Sequence, residues 1–184
     1  MGAIWRGSCG AGLRREPPHQ LPHLHLIPGA VGGHLSVVSA RAATDVERER
    51  LGSRGLYTLH AASPLKVGDL VAERPPANLA RYMAVRRYLP LGVPLLKFVA
   101  AIPAQTVCRQ GPVITIDGLA VATALASDHA NRPLPGWQGC HRLNAHEIFL
   151  LNPARPDSFD GRYFGMVPRE SVMAKAEALW TESE

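Results

Sequence analysis

From residue 55 onward, short apolar runs alternate with closely spaced turn residues, and this pattern favours a mostly β fold over long helices. The strongest turn signal is Asp117-Gly118, which joins residues 113–116 to residues 119–126 and is typical of a two-residue β-hairpin. Pro94 opens a longer apolar run that ends at Ile102. The other runs of strand type cover residues 55–60, 68–73, 106–109, 146–152 and 163–167.

One stretch of the same region has the features of a helix. Residues 77–89 place Leu79 and Met83 on adjacent helical faces, and Pro90 ends the stretch. The chain is 46% hydrophobic, which is enough for a core. We therefore predict a mainly β domain with one short helix over residues 55–184.

Residues 1–54 differ from the rest of the chain. All aromatic residues except Trp5 lie at Tyr57 or beyond it. The first 54 residues have no sustained period of 2 or 3.6, and only residues 42–50 resemble a short helix. We therefore predict a poorly structured, irregular N-terminal segment ahead of the β domain.

Composition and spacing argue against several functions. The net charge of +5 is scattered and has no basic patch interleaved with aromatics, so we predict no nucleic-acid partner. We expect no transmembrane segment in the chain as written, because no run of 18 apolar residues occurs, and no signal peptide at its start. His19, His23 and His25 lack carboxylate or thiolate partners at ligand spacing, so we predict neither a metal nor a cofactor.

The cysteines leave two alternatives open. Cys108 and Cys140 lie in the predicted β domain and form one disulfide if that domain is outside the cytoplasm. Otherwise they are two buried free thiols. Cys9 lies in the N-terminal segment.

Two polar features stand out as candidates for chemistry. Lys97 is the single charged residue in its apolar run. It either points to solvent from one face of a strand, or is buried with a lowered pKa and acts as a general base. Asp160 and Arg162 share a face if residues 157–165 are extended. This segment is either a solvated turn or a polar network around the lysine, in which the Ser158 hydroxyl contacts its amine.

The order of short motifs resembles the conjugative-transfer signal peptidases of the TraF type. The motifs include Val-Pro-Leu-Leu-Lys-x-Val-Ala-Ala, Leu-Pro-x-Trp-x-Gly-Cys and Ser-Phe-Asp-x-Arg-Tyr-Phe-Gly. Phe98 stands where a basic residue is common in this family, and Ala104-Gln105 stands where it favours Gly-Asp. The matching positions are residues 55–57, 68–71, 93–101, 107–108, 134–140, 149–152 and 158–165.

The resemblance implies a signal-peptidase-like β fold, a membrane anchor and a catalytic domain on the periplasmic side of the inner membrane. It implies a Ser–Lys endopeptidase that matures precursor proteins of a transfer system by cutting after small residues. Lys97 is then the general base, with Ser158, Asp160 and Arg162 supporting it. The resemblance also favours the disulfide over two free thiols.

The expected nucleophile is missing. The family places it in Asn-x-Ser-x-Ser-x-Pro-x-Gly-Leu-Tyr, four residues before the glycine. In this chain that glycine is Gly55, so the nucleophile position is Leu51, which has no hydroxyl group. Ser53 is two positions late, a displacement of about 6–7 Å on an extended chain. The alternative function is therefore a catalytically inactive peptidase-like domain that binds precursor peptides or transfer-system partners.

A shift of reading frame is one explanation for this loss. Moved forward by one base, residues 47–55 can encode Asn-Ala-Ser-Val-Ser-Val-Pro-Val-Gly, which is the family motif with its serine. The same shift lets residues 29–43 encode an apolar run suited to a membrane anchor. The other explanation is a decayed or repurposed gene.

Overall fold

The fold is described from a computed structural model over residues 36–40 and 55–181. It is mainly β, as predicted, with two antiparallel sheets of seven and four strands in the orders β1-β2-β11-β3-β4-β9-β10 and β7-β6-β5-β8. The helices are α1 (Ala77–Val85) and the single turn α2 (Gly161–Phe164). The strands are β1 (Ser36–Ala40), β2 (Gly55–His60), β3 (Leu70–Glu73), β4 (Leu95–Ala101), β5 (Thr106–Gln110), β6 (Val113–Ile116), β7 (Leu119–Thr123), β8 (Gly139–Arg142), β9 (Glu147–Leu151), β10 (Met166–Pro168) and β11 (Val172–Thr181).

The hairpin at Asp117-Gly118 is confirmed. Its residues have φ angles of 49° and 85°, as a two-residue turn between twisted strands requires. Asp117 also accepts a hydrogen bond from the backbone nitrogen of Thr106 at the start of β5 (2.8 Å). This bond ties the turn to β5, which lies beside β6 in the small sheet.

The main core lies on one face of β4. Along this strand, buried and half-buried residues alternate, with Leu95, Val99 and Ala101 among the buried ones. Leu95 joins a cluster under α1, Val99 packs with the large sheet, and Ala101 contacts the core shared with the small sheet. The strand therefore passes through three apolar clusters, and its buried face is closed to water.

The helix α1 is shorter than predicted. It ends at Val85 instead of residue 89, because Arg87 has a φ of 60°, outside the helical region. The change of direction turns Tyr88 and Leu89 into the core, where they are 1% and 2% exposed. Burial of these side chains overrides continuation of the helix.

The strand predicted at residues 163–167 is wrong in its first half. Tyr163 lies in α2, because Asp160 caps this turn by accepting a hydrogen bond from the backbone nitrogen of Arg162 (3.1 Å). Only the later part becomes a strand, β10. Asp160 and Arg162 are thus held together by a cap and do not share the face of a strand.

Three strands were not anticipated from the sequence. The middle of strand β11 reads Ala-Lys-Ala-Glu-Ala, residues that favour helices, yet the strand lies between β2 and β3 and pairs with both. Pairing on two sides overrides helix propensity there. Strand β8 pairs with β5, and β1 pairs with β2, with Ser36 opposite Leu59. β1 lies in the segment predicted to be irregular.

The rest of that N-terminal prediction lies outside the described residues. This applies to the possible helix at 42–50, to the histidines His19, His23 and His25, and to the boundary near residue 54, which stays a prediction. Within residues 55–181, no helix is long and apolar enough to cross a membrane. No set of three His, Cys, Asp or Glu side chains in the described part of the chain is grouped to hold a metal ion.

Candidate active site

Lys97 lies in the middle of β4, opposite Val71 on β3, and its side chain is fully buried. Of the two alternatives left open by the sequence, the solvent-facing lysine is therefore excluded. Desolvation disfavours the ammonium form, and this burial lowers the pKa of Lys97 to about 8, while the charge of Asp160 acts in the opposite direction. A substantial fraction of the amine is therefore neutral slightly above neutral pH.

Ser158 contacts this amine. The Lys97 Nζ donates a hydrogen bond to Ser158 Oγ at 2.7 Å, and the serine is fully buried. The next residue, Phe159, fixes the serine in place by stacking on Tyr163 and on Tyr82, with ring centroids 5.4 and 5.5 Å apart. The lysine therefore contacts a hydroxyl group on a loop that the packing of Phe159 anchors.

Asp160 and Arg162 form a buried, two-pronged ion pair beside the lysine. Arg162 Nε donates to Asp160 Oδ1 (2.8 Å) and its Nη2 donates to Oδ2 (2.7 Å). Burial acts to lower the pKa of Arg162, but the hydrogen bonds and charge of Asp160 outweigh it and the pKa is raised. The guanidinium also donates to the backbone carbonyls of Asn152, Arg155 and Pro156.

This pair therefore organises the loop that carries Ser158. The backbone nitrogen of Asn152 donates to Asp160 Oδ2 (2.9 Å), so the end of β9 is tied to the same carboxylate. Ser158, Asp160 and Arg162, predicted as the supporting residues, are all buried and lie in one network with Lys97. Asn152 is the last of the matched residues 149–152, but its role was not anticipated.

The small sheet holds the same loop from the other side. Arg109 Nη1 donates to the carbonyl of Arg162 (2.5 Å), and Trp137 Nε1 donates to the carbonyl of Gly161 (2.9 Å). Gly161 is required here, since a Cβ atom would lie 2.6 Å from Phe149. Sequence reasoning missed Arg109 and Trp137, although Trp137 belongs to the Leu-Pro-x-Trp motif.

Cys108 and Cys140 are bonded as a disulfide between β5 and β8, where the two residues lie directly opposite each other. Cys108 precedes Arg109, so the disulfide joins the two strands immediately beside the arginine that reaches the loop. The bond thus braces the small sheet where it meets the site.

Two departures from the family pattern are accommodated locally. Ala104 has a φ of 76°, a conformation that glycine adopts without cost and alanine does not. Gln105 replaces a carboxylate by accepting a hydrogen bond from the backbone nitrogen of Ile102 (3.1 Å) and donating one to Asp117 (2.9 Å). The turn is therefore closed despite both substitutions. Phe98 is half-buried on β4.

The predicted nucleophile position, Leu51, lies outside the described residues, and so does Ser53. The described chain resumes at Gly55, the first residue of β2. Within the described part, the site can position a neutral amine, orient it through a buried hydroxyl and fix both with an ion pair. Such an amine can accept a proton from a hydroxyl group brought next to it.

Comparison with known proteins confirms the resemblance. The sequence model of the family described as signal peptidase, peptidase S26, matches residues 34–181. The conjugal transfer protein TraF of Agrobacterium tumefaciens strain 15955 is 34% identical over 177 residues, covering 89% of this chain and 97% of that protein. The probable conjugal transfer protein TraF of Sinorhizobium fredii strain NGR234 is 35% identical over 127 residues, and the match spans 66% of its length and 64% of this chain.

A solved signal peptidase I from Enterococcus faecalis V583 overlaps with this chain at a TM-score of 0.35 and 19% identity. The overlap covers 61% of this chain and 97% of that structure.

Proposed function

Because the chain belongs to the peptidase S26 family of signal peptidases, we propose that its β domain is that of a serine endopeptidase maturing precursor proteins of a conjugative transfer system. The observation that carries this proposal is the fully buried Lys97 amine, held 2.7 Å from Ser158 Oγ. The relatives named as conjugal transfer proteins support the biological setting.

In the proposed reaction, a serine hydroxyl at the nucleophile position attacks the scissile carbonyl while Lys97 takes its proton. The carbon–nitrogen bond then breaks, the proton passes from Lys97 to the leaving amine, and water hydrolyses the acyl-enzyme. The Ser158 hydroxyl orients the amine throughout, and the Asp160–Arg162 pair keeps Ser158 in place. With Leu51 at the nucleophile position no acyl-enzyme forms, so we propose that the chain as written is impaired.

The proposed setting is the inner membrane, with the β domain on the periplasmic side and a pilin-like or other secreted precursor as substrate. The Cys108–Cys140 disulfide supports this placement, because disulfides persist in oxidising compartments such as the periplasm. The proposed membrane association rests on the family alone, and none of the described elements contributes to it.

Two explanations of Leu51 predict different DNA sequences across codons 45–58. If the reading frame is shifted, resequencing finds one additional base, and codons 47–55 then encode Asn-Ala-Ser-Val-Ser-Val-Pro-Val-Gly. If the gene has truly lost its nucleophile, resequencing returns the present codons.

The cleavage test compares the chain as written with a restored-loop variant, in which residues 47–55 are replaced by the motif above. The substrate is a fluorogenic peptide with alanine before the scissile bond, taken from a transfer-system precursor. We expect measurable kcat/KM for the restored-loop variant and none for the chain as written, because the latter lacks a hydroxyl group at position 51. A restored-loop variant that is folded and has no activity on any such precursor would contradict the peptidase proposal.

Leu51 itself favours the second candidate, a domain that binds precursor peptides without cutting them. A cavity of about 320 Å³ lies beside the Ser158 loop, lined by Tyr88, Leu125 and Phe159 among others. Binding of the same precursor peptide to the chain as written, with the peptide recovered intact, would support this function. Cleavage by the unaltered chain would eliminate it.

A further inference from the structure

A buried carboxylic acid lies close to Lys97 and has no role in the mechanism above. Glu73, at the end of β3, is fully buried. It pairs with Leu95 on β4, while Val71 pairs with Lys97. Paired residues share a face of the sheet, and so do residues two apart on a strand. The side chain of Glu73 is therefore on the same face as Lys97, diagonally across the two strands.

The carboxyl group of Glu73 has no hydrogen-bond partner among the described residues. The Ser171 hydroxyl acts to lower the pKa of this carboxyl group, but burial outweighs it, and the hydroxyl donates its hydrogen bond to the carbonyl of Pro168 (2.7 Å). A buried, unpaired polar group costs stability, and few are found in folded proteins. A buried acid without a hydrogen bond beside a functional lysine is therefore a candidate for a role at that lysine.

The other charged groups around Lys97 are already engaged. Asp160 is held by Arg162 in the two-pronged ion pair. Asp157 lies 3.3 Å from the exposed ring of His129. Three acidic side chains of the described residues raise the pKa of Lys97. Glu73 is the one of these three that forms no ion pair.

We propose that Glu73 is a positioning residue for Lys97, with which it titrates as a coupled pair, so that ionised Glu73 keeps the lysine protonated. The role rests on the proposed function of Lys97 as a base, but the coupling is a property of the pair alone. Burial raises the pKa of Glu73 to about 7, and burial lowers the pKa of Lys97 to about 8. The two titrations therefore overlap, as in other coupled sites.

The test measures the titration of Lys97 by NMR in the chain as written, labelled with ¹³C-lysine, with Lys97→Met used to identify its Cε signal. In Glu73→Gln the negative charge is absent, so we expect the midpoint of Lys97 to move to lower pH by on the order of one unit. The matched control is Glu170→Gln, which removes an exposed carboxyl group from the neighbouring turn. An unchanged midpoint in folded Glu73→Gln would overturn the proposal.

A second measurement compares the free energy of unfolding of the chain as written with that of Glu73→Gln across a range of pH. The ordinary pKa of the glutamate is 4.5, and in the folded chain it is about 7. The folded state therefore holds the Glu73 proton to higher pH than the unfolded state does, and this group's contribution to stability falls as pH rises across that window. The comparison with Glu73→Gln isolates it: a difference between the two that does not vary with pH would contradict the proposal.

Neither readout depends on cleavage. Failure of the restored-loop variant to cut peptides would remove the peptidase function and leave the coupled pair intact. An uncoupled Glu73 would leave the peptidase function intact.

Discussion

Lys97→Ala in the restored-loop variant is expected to lower kcat/KM by about 10³-fold or more while the domain stays folded. General-base assistance alone contributes about 10²–10⁴-fold, and removal of one member of a group that acts as a unit costs more. Lys97 Nζ is fully buried and donates to Ser158 Oγ, so the variant loses both the proposed base and the partner of that hydroxyl. The measurement is peptide hydrolysis under pseudo-first-order conditions, with circular dichroism to verify folding.

Lys66→Ala is the matched control for this loss, because Lys66 is exposed and lies outside the network. It should leave kcat/KM unchanged. In the restored-loop enzyme itself, kcat/KM should rise with pH and level off above the Lys97 pKa of about 8, because the neutral amine is the active form. Turnover that survives Lys97→Ala would show that another group is the base.

The second large effect concerns stability. Arg162→Ala is expected to reduce the free energy of unfolding by about 3–5 kcal/mol, because it leaves the carboxylate of Asp160 buried without its partner. It also removes the donors that hold three backbone carbonyls, at Asn152, Arg155 and Pro156. Urea denaturation followed by two probes measures the change and checks that unfolding is two-state.

Arg81→Ala serves as the comparison, since Arg81 is exposed on α1, and it should change stability by less than about 0.5 kcal/mol. Arg162→Lys keeps the charge but loses the planar pair of donors, so its effect should be intermediate. If Arg162→Ala costs no more than Arg81→Ala, the ion pair is not what holds the Ser158 loop.

Local patterns were enough to predict the β class and several strands. Asp117-Gly118 identified a hairpin because only a few dipeptides adopt two successive left-handed conformations. Strand β11 escaped notice because its composition favours a helix, and only pairing with β2 and β3 makes it a strand. Tyr163 was misassigned because the cap that Asp160 supplies becomes evident only when the loop is folded.

In the candidate site too, some residues were identifiable from the sequence and others only from the fold. The lysine was identifiable from its apolar surroundings, and the resemblance supplied Ser158, Asp160 and Arg162. Arg109 and Glu73 are distant in sequence from those residues, and neither belongs to a motif that indicated a role. Their involvement follows from the pairing of strands, which brings Arg109 to the Arg162 carbonyl and Glu73 to the face that carries Lys97.

The position of β11 has a consequence for the order in which the site is made. The predicted nucleophile position precedes β2 and the proposed base is on β4, yet in the sheet these strands are separated by β11 and β3. The strand that joins the two halves is the last of the described strands to leave the ribosome. A nascent chain that has not reached residue 172 cannot set the spacing between β2 and β4. Any chemistry that needs both positions is therefore withheld until β11 has been synthesised and paired.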